Sequence, residues 1–567
     1  MNMKKTIISL ALAATFGISL SSCSDMMETD SELVMFQKDN TLNSPVDSVY
    51  SVMGILYKMQ KIADRTVLIG EMRGDLTTTT ANANTDLKAL ANFNVTTNNK
   101  YNKVSDYYAV INNCNYYLAT VDTALTKRNV KIFQSEYAAV KAFRAWTYLQ
   151  LVQIYGNVPL VTEPVLTETK AAEEQNKTKS SITDICNYFI DDLKPYINVN
   201  LPSYGAIGGN NSQKFFIPMR ALLGDLCLWA GRYQEAAQFY HDYLTLTGKE
   251  ITTGTASIQW GSKDFKNPSD DYGSLFSVSN SQECRSYIPM ETSEFYGIKS
   301  TLKDIFNSTS DNYYYYQVEP SSALKNLSKS QVNCLVYSTN ATRDTLYAPT
   351  VNEKNEVLVG DLRLYSNWNT SKINQSATSK YSSDYQTIGK INNEGIMTYR
   401  TSVIYLRYAE ALNRAGYPQI AFAILKYGLT SDNLNNYVDS IERTNGSSLI
   451  SFSQYVFTEN NTQGIHSHGS GDSRANLFYN LPEPSDSLAT YQDTVNYQIP
   501  LVEDMIAKEM ALETQFEGYR FFDLMRISKR RNDPTYLAKP ISERNGVKDG
   551  TLYDLLLNEQ KWYLPLN

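Results

Sequence analysis

The sequence predicts a mainly α-helical protein made of repeated helix pairs that carry large, loop-rich insertions. Three observations predict it. Residues 136–155, EYAAVKAFRAWTYLQLVQIY, run without Gly or Pro and are rich in helix formers. A helix–turn–helix unit at 216–246 recurs at 405–429. Between the two copies, residues 250–395 turn rich in Ser, Asn, Thr, Asp and Gly, with only short apolar runs.

The chain has 567 residues, enough for two to four domains or one large helical body with insertions. A net charge of −7 with no Lys/Arg cluster excludes a nucleic-acid binder. Tyrosine is unusually frequent, 42 against 20 Phe and 5 Trp, and its flat apolar ring with a polar tip suits wet binding surfaces.

The chain opens with a basic n-region (Lys4, Lys5) and an apolar stretch at 7–20. That stretch is too short and wrongly flanked to span a bilayer, so it reads as an export signal. It ends in Leu20-Ser21-Ser22-Cys23, which resembles the lipobox of bacterial lipoproteins. On that reading residues 1–22 are removed, and Cys23 is acylated and becomes the mature N-terminus. Two or more acyl chains, palmitate among them, anchor stably where one would not. The acidic, polar residues 23–40 then form a flexible tether. The other cysteines (Cys114, Cys186, Cys227, Cys284, Cys334) are odd in number and lack CxxC spacing, so they read as small buried residues.

Taken in order, 46–63 reads as a first helix. A polar loop follows at 64–99, holding Gly70-Glu71-Met72-Arg73-Gly74-Asp75; long ordered loops are more often functional than not. Helices follow at 105–125, 136–155 and 183–197. The apolar residues of 136–155 surround the axis, so this helix needs neighbours on several sides, and Gly156, Asn157 and Pro159 stop it. In the repeated unit, Ala230-Gly231 aligns with Ala415-Gly416, Gln234 with Gln419 and Ala236 with Ala421, all at one offset of 185 residues. This predicts tetratricopeptide-like helix pairs of one solenoid, separated by an insertion. A second loop-rich region covers 431–500, and one helix returns at 502–528.

Several of these blocks form a recognisable set. Arg144, Ala145, Tyr148 and Leu151 followed by Tyr155-Gly156-Asn157-Val158-Pro159-Leu160-Val161-Thr162 is one. Ile111 with Asn115, Tyr408-Ala409-Glu410-Ala411-Leu412-Asn413 with Gly416, and the run Glu509, Glu513, Phe516, Glu517, Gly518, Arg520, Phe522, Asp523, Leu524, Arg526 are others. With the lipobox and Tyr563-Leu564-Pro565-Leu566, they stand in order from residue 20 to the last residues, and in this the chain resembles the SusD/RagB-like outer-membrane lipoproteins. It departs from the pattern at Ser402, where the family commonly has a glutamate.

The resemblance implies a SusD-like fold of about four tetratricopeptide-like helix pairs. It implies a 41–250 helical region, a 251–395 insertion on the ligand side and a returning 396–567 region. It further implies a cell-outer-membrane protein facing outward, which captures an oligosaccharide as a lid over a SusC-like TonB-dependent transporter. The alternatives are capture of oligopeptides by the same architecture and, more distantly, a surface scaffold or adhesin.

No GxSxG, HExxH, P-loop or Rossmann glycine pattern stands in the chain, so an enzyme is not expected, nor a cofactor. The ladder Glu517, Arg520, Asp523, Arg526 reads as ion pairs locking a packed helix. His466 and His468, in a Gly/Ser-rich surround, read as a solvated loop and not as metal ligands. A sugar site needs flat aromatic platforms with a few polar partners. Trp260 and Trp368 rank first, because their neighbours are polar on both sides; Tyr272, Tyr287, Tyr296, Arg73 and Asp75 complete the expected site.

Overall fold

The computed structural model describes residues 44–246, 276–279, 282–291, 297–307, 316–338, 343–347, 360–372, 384–392, 395–452, 464–472, 478–485 and 490–566. The main helices are α1 (Pro45–Arg73), α2 (Val104–Thr120), α3 (Gln134–Tyr155), α4 (Ile182–Leu193) and α5 (Met219–Trp229). After them come α6 (Tyr233–Leu244), α7 (Thr401–Arg414), α8 (Pro418–Lys426), α9 (Tyr491–Glu513) and α10 (Arg520–Arg531). From α2 to α8 each packs on its predecessor, and α5 also touches α3; α9 then covers α7 and α8. The mainly α, layered architecture expected from the sequence is present.

The recurrence at 185 residues is a real structural repeat. In the α5–α6 turn, Arg232 N donates to Cys227 O at 2.8 Å; in the α7–α8 turn, Tyr417 N donates to Leu412 O at 2.9 Å. Both turns place their glycine in the left-handed region, Gly231 at φ 77° and Gly416 at φ 98°, where a Cβ is costly. Ala236 and Ala421 are both fully buried. Although the insertion separates the copies in sequence, α6 packs directly on α7.

Helix α3 is buried on almost every side from Ala138 to Tyr155. Its motif residues fix the extended tail that follows. The Tyr148 hydroxyl accepts from Val161 N at 2.7 Å, and Asn115 Nδ2 donates to Val161 O at 3.0 Å and Glu163 O at 3.2 Å. Arg144 joins the two by donating to Asn115 Oδ1 (2.9 Å) and Asp192 Oδ2 (3.1 Å). The conspicuous sequence pattern thus encodes a buried clasp between α2, α3, α4 and the tail. At the far end, Leu564 N donates to Ile154 O at 2.9 Å, so the terminal Tyr-Leu-Pro segment closes against the α3 stop.

Three expectations need correction. The first helix does not end near residue 63: α1 continues to Arg73, and residues 64–73 are not loop. Gly70 looks like a loop glycine, but it lies inside the helix, where α1 meets the backbone of Gly518. The helix expected over 502–528 is two helices that begin at Tyr491, broken over 514–519. The break turns on Phe516 (φ 64°) and Gly518 (φ 83°), and the Glu71 carboxylate accepts from both their N–H groups at 3.1 Å. His466 and His468 are not solvated. Both are buried, with Nδ1 2.8 Å from Glu509 and 3.2 Å from Glu513 respectively.

Those two pairs belong to a larger buried charge network. Arg363 bridges Asp361 (2.7 Å), Glu509 (2.7 Å) and Glu513 (2.8 Å), and Arg400 bridges Glu513 (2.7 Å) and Glu517 (2.7 Å). Lys390 pairs with Glu517 at 2.6 Å. The expected ladder on one helix is realised only by Asp523 and Arg526 at 3.0 Å, while Arg526 also grips Glu410 of α7 at 2.6 Å and Arg520 grips Asp75 at 2.6 Å. Where the family glutamate is missing, Ser402 Oγ donates to Glu283 at 2.6 Å. The five cysteines from Cys114 onward are free and buried, as expected.

Candidate functional site

Of the residues expected at the site, Trp260, Tyr272 and Tyr296, like the lipidation candidate Cys23, lie outside the described residues. The structure separates the other four.

Trp368 is half-buried at the start of a hairpin in which Trp368–Lys372 pairs antiparallel with Asp384–Ile388. Its indole is fixed. Gln386 donates its amide nitrogen to Phe306 O (2.6 Å) and Val318 O (2.7 Å), which leaves its Oε1 to accept from Trp368 Nε1 at 2.8 Å. The Lys325 ammonium stands 4.9 Å from the ring centroid. A partly exposed indole held in one orientation beside a cation can stack on the C–H face of a sugar while the cation meets its hydroxyls.

Tyr287 serves the core instead. It is buried in the strand Cys284–Pro289, which pairs with Gly395–Arg400, and it meets Phe215 edge-on with centroids 5.3 Å apart. Gly395 fits under it because a Cβ there would come within 2.5 Å of the ring. Asp75 is also buried, and both its oxygens accept from Arg520 (2.6 and 3.0 Å). A carboxylate held by a bidentate arginine inside the body has a structural partner already.

Arg73 behaves differently. It is the last residue of α1, 1% exposed, and its guanidinium lies between the rings of Phe93 (4.8 Å) and Phe521 (4.1 Å). Its Nη2 donates to Trp562 O, whereas Nε and Nη1 have no hydrogen-bond partner. It lines a cavity of about 800 Å³ enclosed between the α3 stop, the start of α4, the end of α10 and the terminal segment 559–566. The sequence places Arg73 in the polar loop 64–99, as one polar partner of the expected sugar site. The structure puts it at the end of α1 with Phe93, Lys179, Lys529, Lys561 and Tyr563; of these only Tyr563 belongs to a block the sequence singled out, and as part of the terminal Tyr-Leu-Pro segment.

No protein-family profile and no curated protein matches the sequence. Solved structures do match. A SusD superfamily protein of Bacteroides thetaiotaomicron superposes with a TM-score of 0.56 at 16% identity, covering 90% of this chain and 95% of that one. A SusD-like carbohydrate-binding protein of Bacteroides fragilis gives a TM-score of 0.55 at 15% identity, covering 87% and 88%. A SusD superfamily protein of Bacteroides vulgatus gives 0.56 at 13%, covering 91% and 92%. This chain has the SusD-like fold. Within it, the sequence blocks that carry the resemblance are the buried clasp of α3 and the ion pairs joining α7, α9 and α10. In this structure those blocks hold the helical scaffold together.

Proposed function

We propose that this SusD-like protein binds an oligosaccharide at the outer face of a Gram-negative outer membrane and passes it to a SusC-like TonB-dependent transporter. The observation that carries the reading is the match of nearly the whole chain to SusD-like structures, one of them described as carbohydrate-binding. It is a binding protein and not an enzyme on this reading. Trp368, oriented by Gln386 and flanked by Lys325, is the described residue best suited to stack on a sugar ring, and Trp260 would be its counterpart in the insertion. Acylation of Cys23 would hold the protein at the surface, since among the described residues no helix is long and apolar enough to cross a membrane.

Calorimetry of the full chain in mild detergent against a panel of neutral glycans and against mixed peptides tests the ligand class. Trp368→Ala is expected to weaken glycan binding by about 5- to 100-fold, the loss of one stacked aromatic and its surroundings. A peptide response with no glycan response would refute the saccharide reading in favour of peptide capture. Pull-down of the intact lipoprotein is expected to bring a large β-barrel protein with it.

A further inference from the structure

No described residue of the insertion lines the cavity at Arg73, and the chemistry of its walls is that of an anion site. A buried cation is tolerated when a counter-charge or a full set of acceptors compensates it. Arg73 has neither. Among the described residues no carboxylate forms an ion pair with it, and two of its three nitrogens lack a partner. Burial pushes its guanidinium down to about 9, which still leaves it charged at neutral pH. The cavity walls add to the positive potential. Lys179, Lys529 and Lys561 line it with Arg73, and Glu559, which pairs with Lys529, is the single acidic side chain among the lining residues. This excess of cations is local, because the whole chain carries −7. The N-cap Ser181 and the first two residues of α4, Ile182 and Thr183, also line the cavity.

We propose that this cavity is a second ligand site, one that receives an acidic sugar unit with its carboxylate drawn to the unpartnered guanidinium of Arg73. The carboxylate follows from Arg73 and the surrounding lysines. That the anion is borne on a sugar rests on the saccharide reading above, and the volume of about 800 Å³ accommodates one or a few sugar rings. Tyr563 and Phe93 supply apolar wall, and the exposed Lys179 and Lys561 draw the anion in from the rim.

The test is calorimetry of the full chain with sodium D-glucuronate as the probe, and with D-glucose and sodium acetate as controls. Glucuronate is expected to bind at least about 10-fold more tightly than either control. Arg73→Met is expected to weaken it by about 30-fold or more, as for removal of one partner of a buried charge pair. The double variant Lys179→Gln/Lys561→Gln keeps Arg73 and alters only exposed side chains. It should weaken binding by a few-fold and flatten its salt dependence, and it decides the matter if Arg73→Met does not fold. Equal binding of glucose and glucuronate, equal binding of acetate and glucuronate, or indifference to both variants would overturn the proposal. If the protein binds neutral glycans but ignores glucuronate, this inference alone fails; if it ignores neutral and acidic sugars alike, the saccharide reading fails with it.

Discussion

Gly70 and Gly518 touch backbone to backbone: a Cβ placed on Gly70 would lie 1.7 Å from the carbonyl oxygen of Gly518. The contact lets α1 run straight through what resembles a loop sequence, and it seats the Phe516–Gly518 bend on the Glu71 carboxylate.

Gly70→Ala is therefore expected to destabilise the protein by roughly 3 kcal/mol or more, because both clashing partners are backbone and neither can swing aside. Chemical denaturation read by circular dichroism checks this. The control is Gly54→Ala on the same helix, where nothing lies within 4 Å of the new Cβ and helix propensity favours alanine.

Arg363 is completely buried and holds Asp361, Glu509 and Glu513 together. Burial alone would raise the carboxyl of Glu509, but Arg363 and His466 outweigh it and bring it down to about 2. A carboxylate with a depressed folded value adds stability above its unfolded value near 4.5, and that stability is lost as pH falls from there toward 2. Arg363→Met removes the cation shared by three buried acids, of which Glu513 keeps Arg400, and is expected to cost roughly 3–5 kcal/mol. In urea titrations at a series of pH values, the variant should also show a weaker loss of stability between pH 4.5 and 2 than the parent does.

Glu442 has the opposite sign. Burial pushes its carboxyl up to about 8, against donation from the Ile420 and Gln419 amides, and its Oε2 lacks a partner. A raised folded value means that the contribution is fully present below 4.5 and disappears as pH climbs toward 8. Glu442→Gln keeps the acceptor for Ile420 N at 2.8 Å without a charge. Thermal unfolding should find the variant about as stable as the parent near pH 5 and more stable, by about 1–2 kcal/mol, at pH 8.

Cys23→Ala tests the anchor. The variant is expected in the soluble fraction after cell lysis, whereas the parent sediments with membranes and takes up labelled palmitate. A variant that remains fully membrane-bound would count against acylation at Cys23.

The sequence by itself determined the helical class, the repeat and its two glycine turns, and the blocks shared with the SusD-like pattern. These are local in origin: periodicity, a positive-φ glycine and a fixed spacing are written within a few tens of residues. Tertiary structure decided the rest. Gly70 reads as a helix breaker until its contact with Gly518, far away in sequence, is known. His466 and His468 sit among small polar residues and look solvated, and only the glutamates of α9 draw them inside. Arg73 and Asp75 stand two residues apart in one polar stretch, yet Asp75 is neutralised by Arg520 while Arg73 has no carboxylate partner among the described residues and lines a cavity. Burial and partner choice depend on groups hundreds of residues apart, so adjacent residues of similar character end with different chemistry.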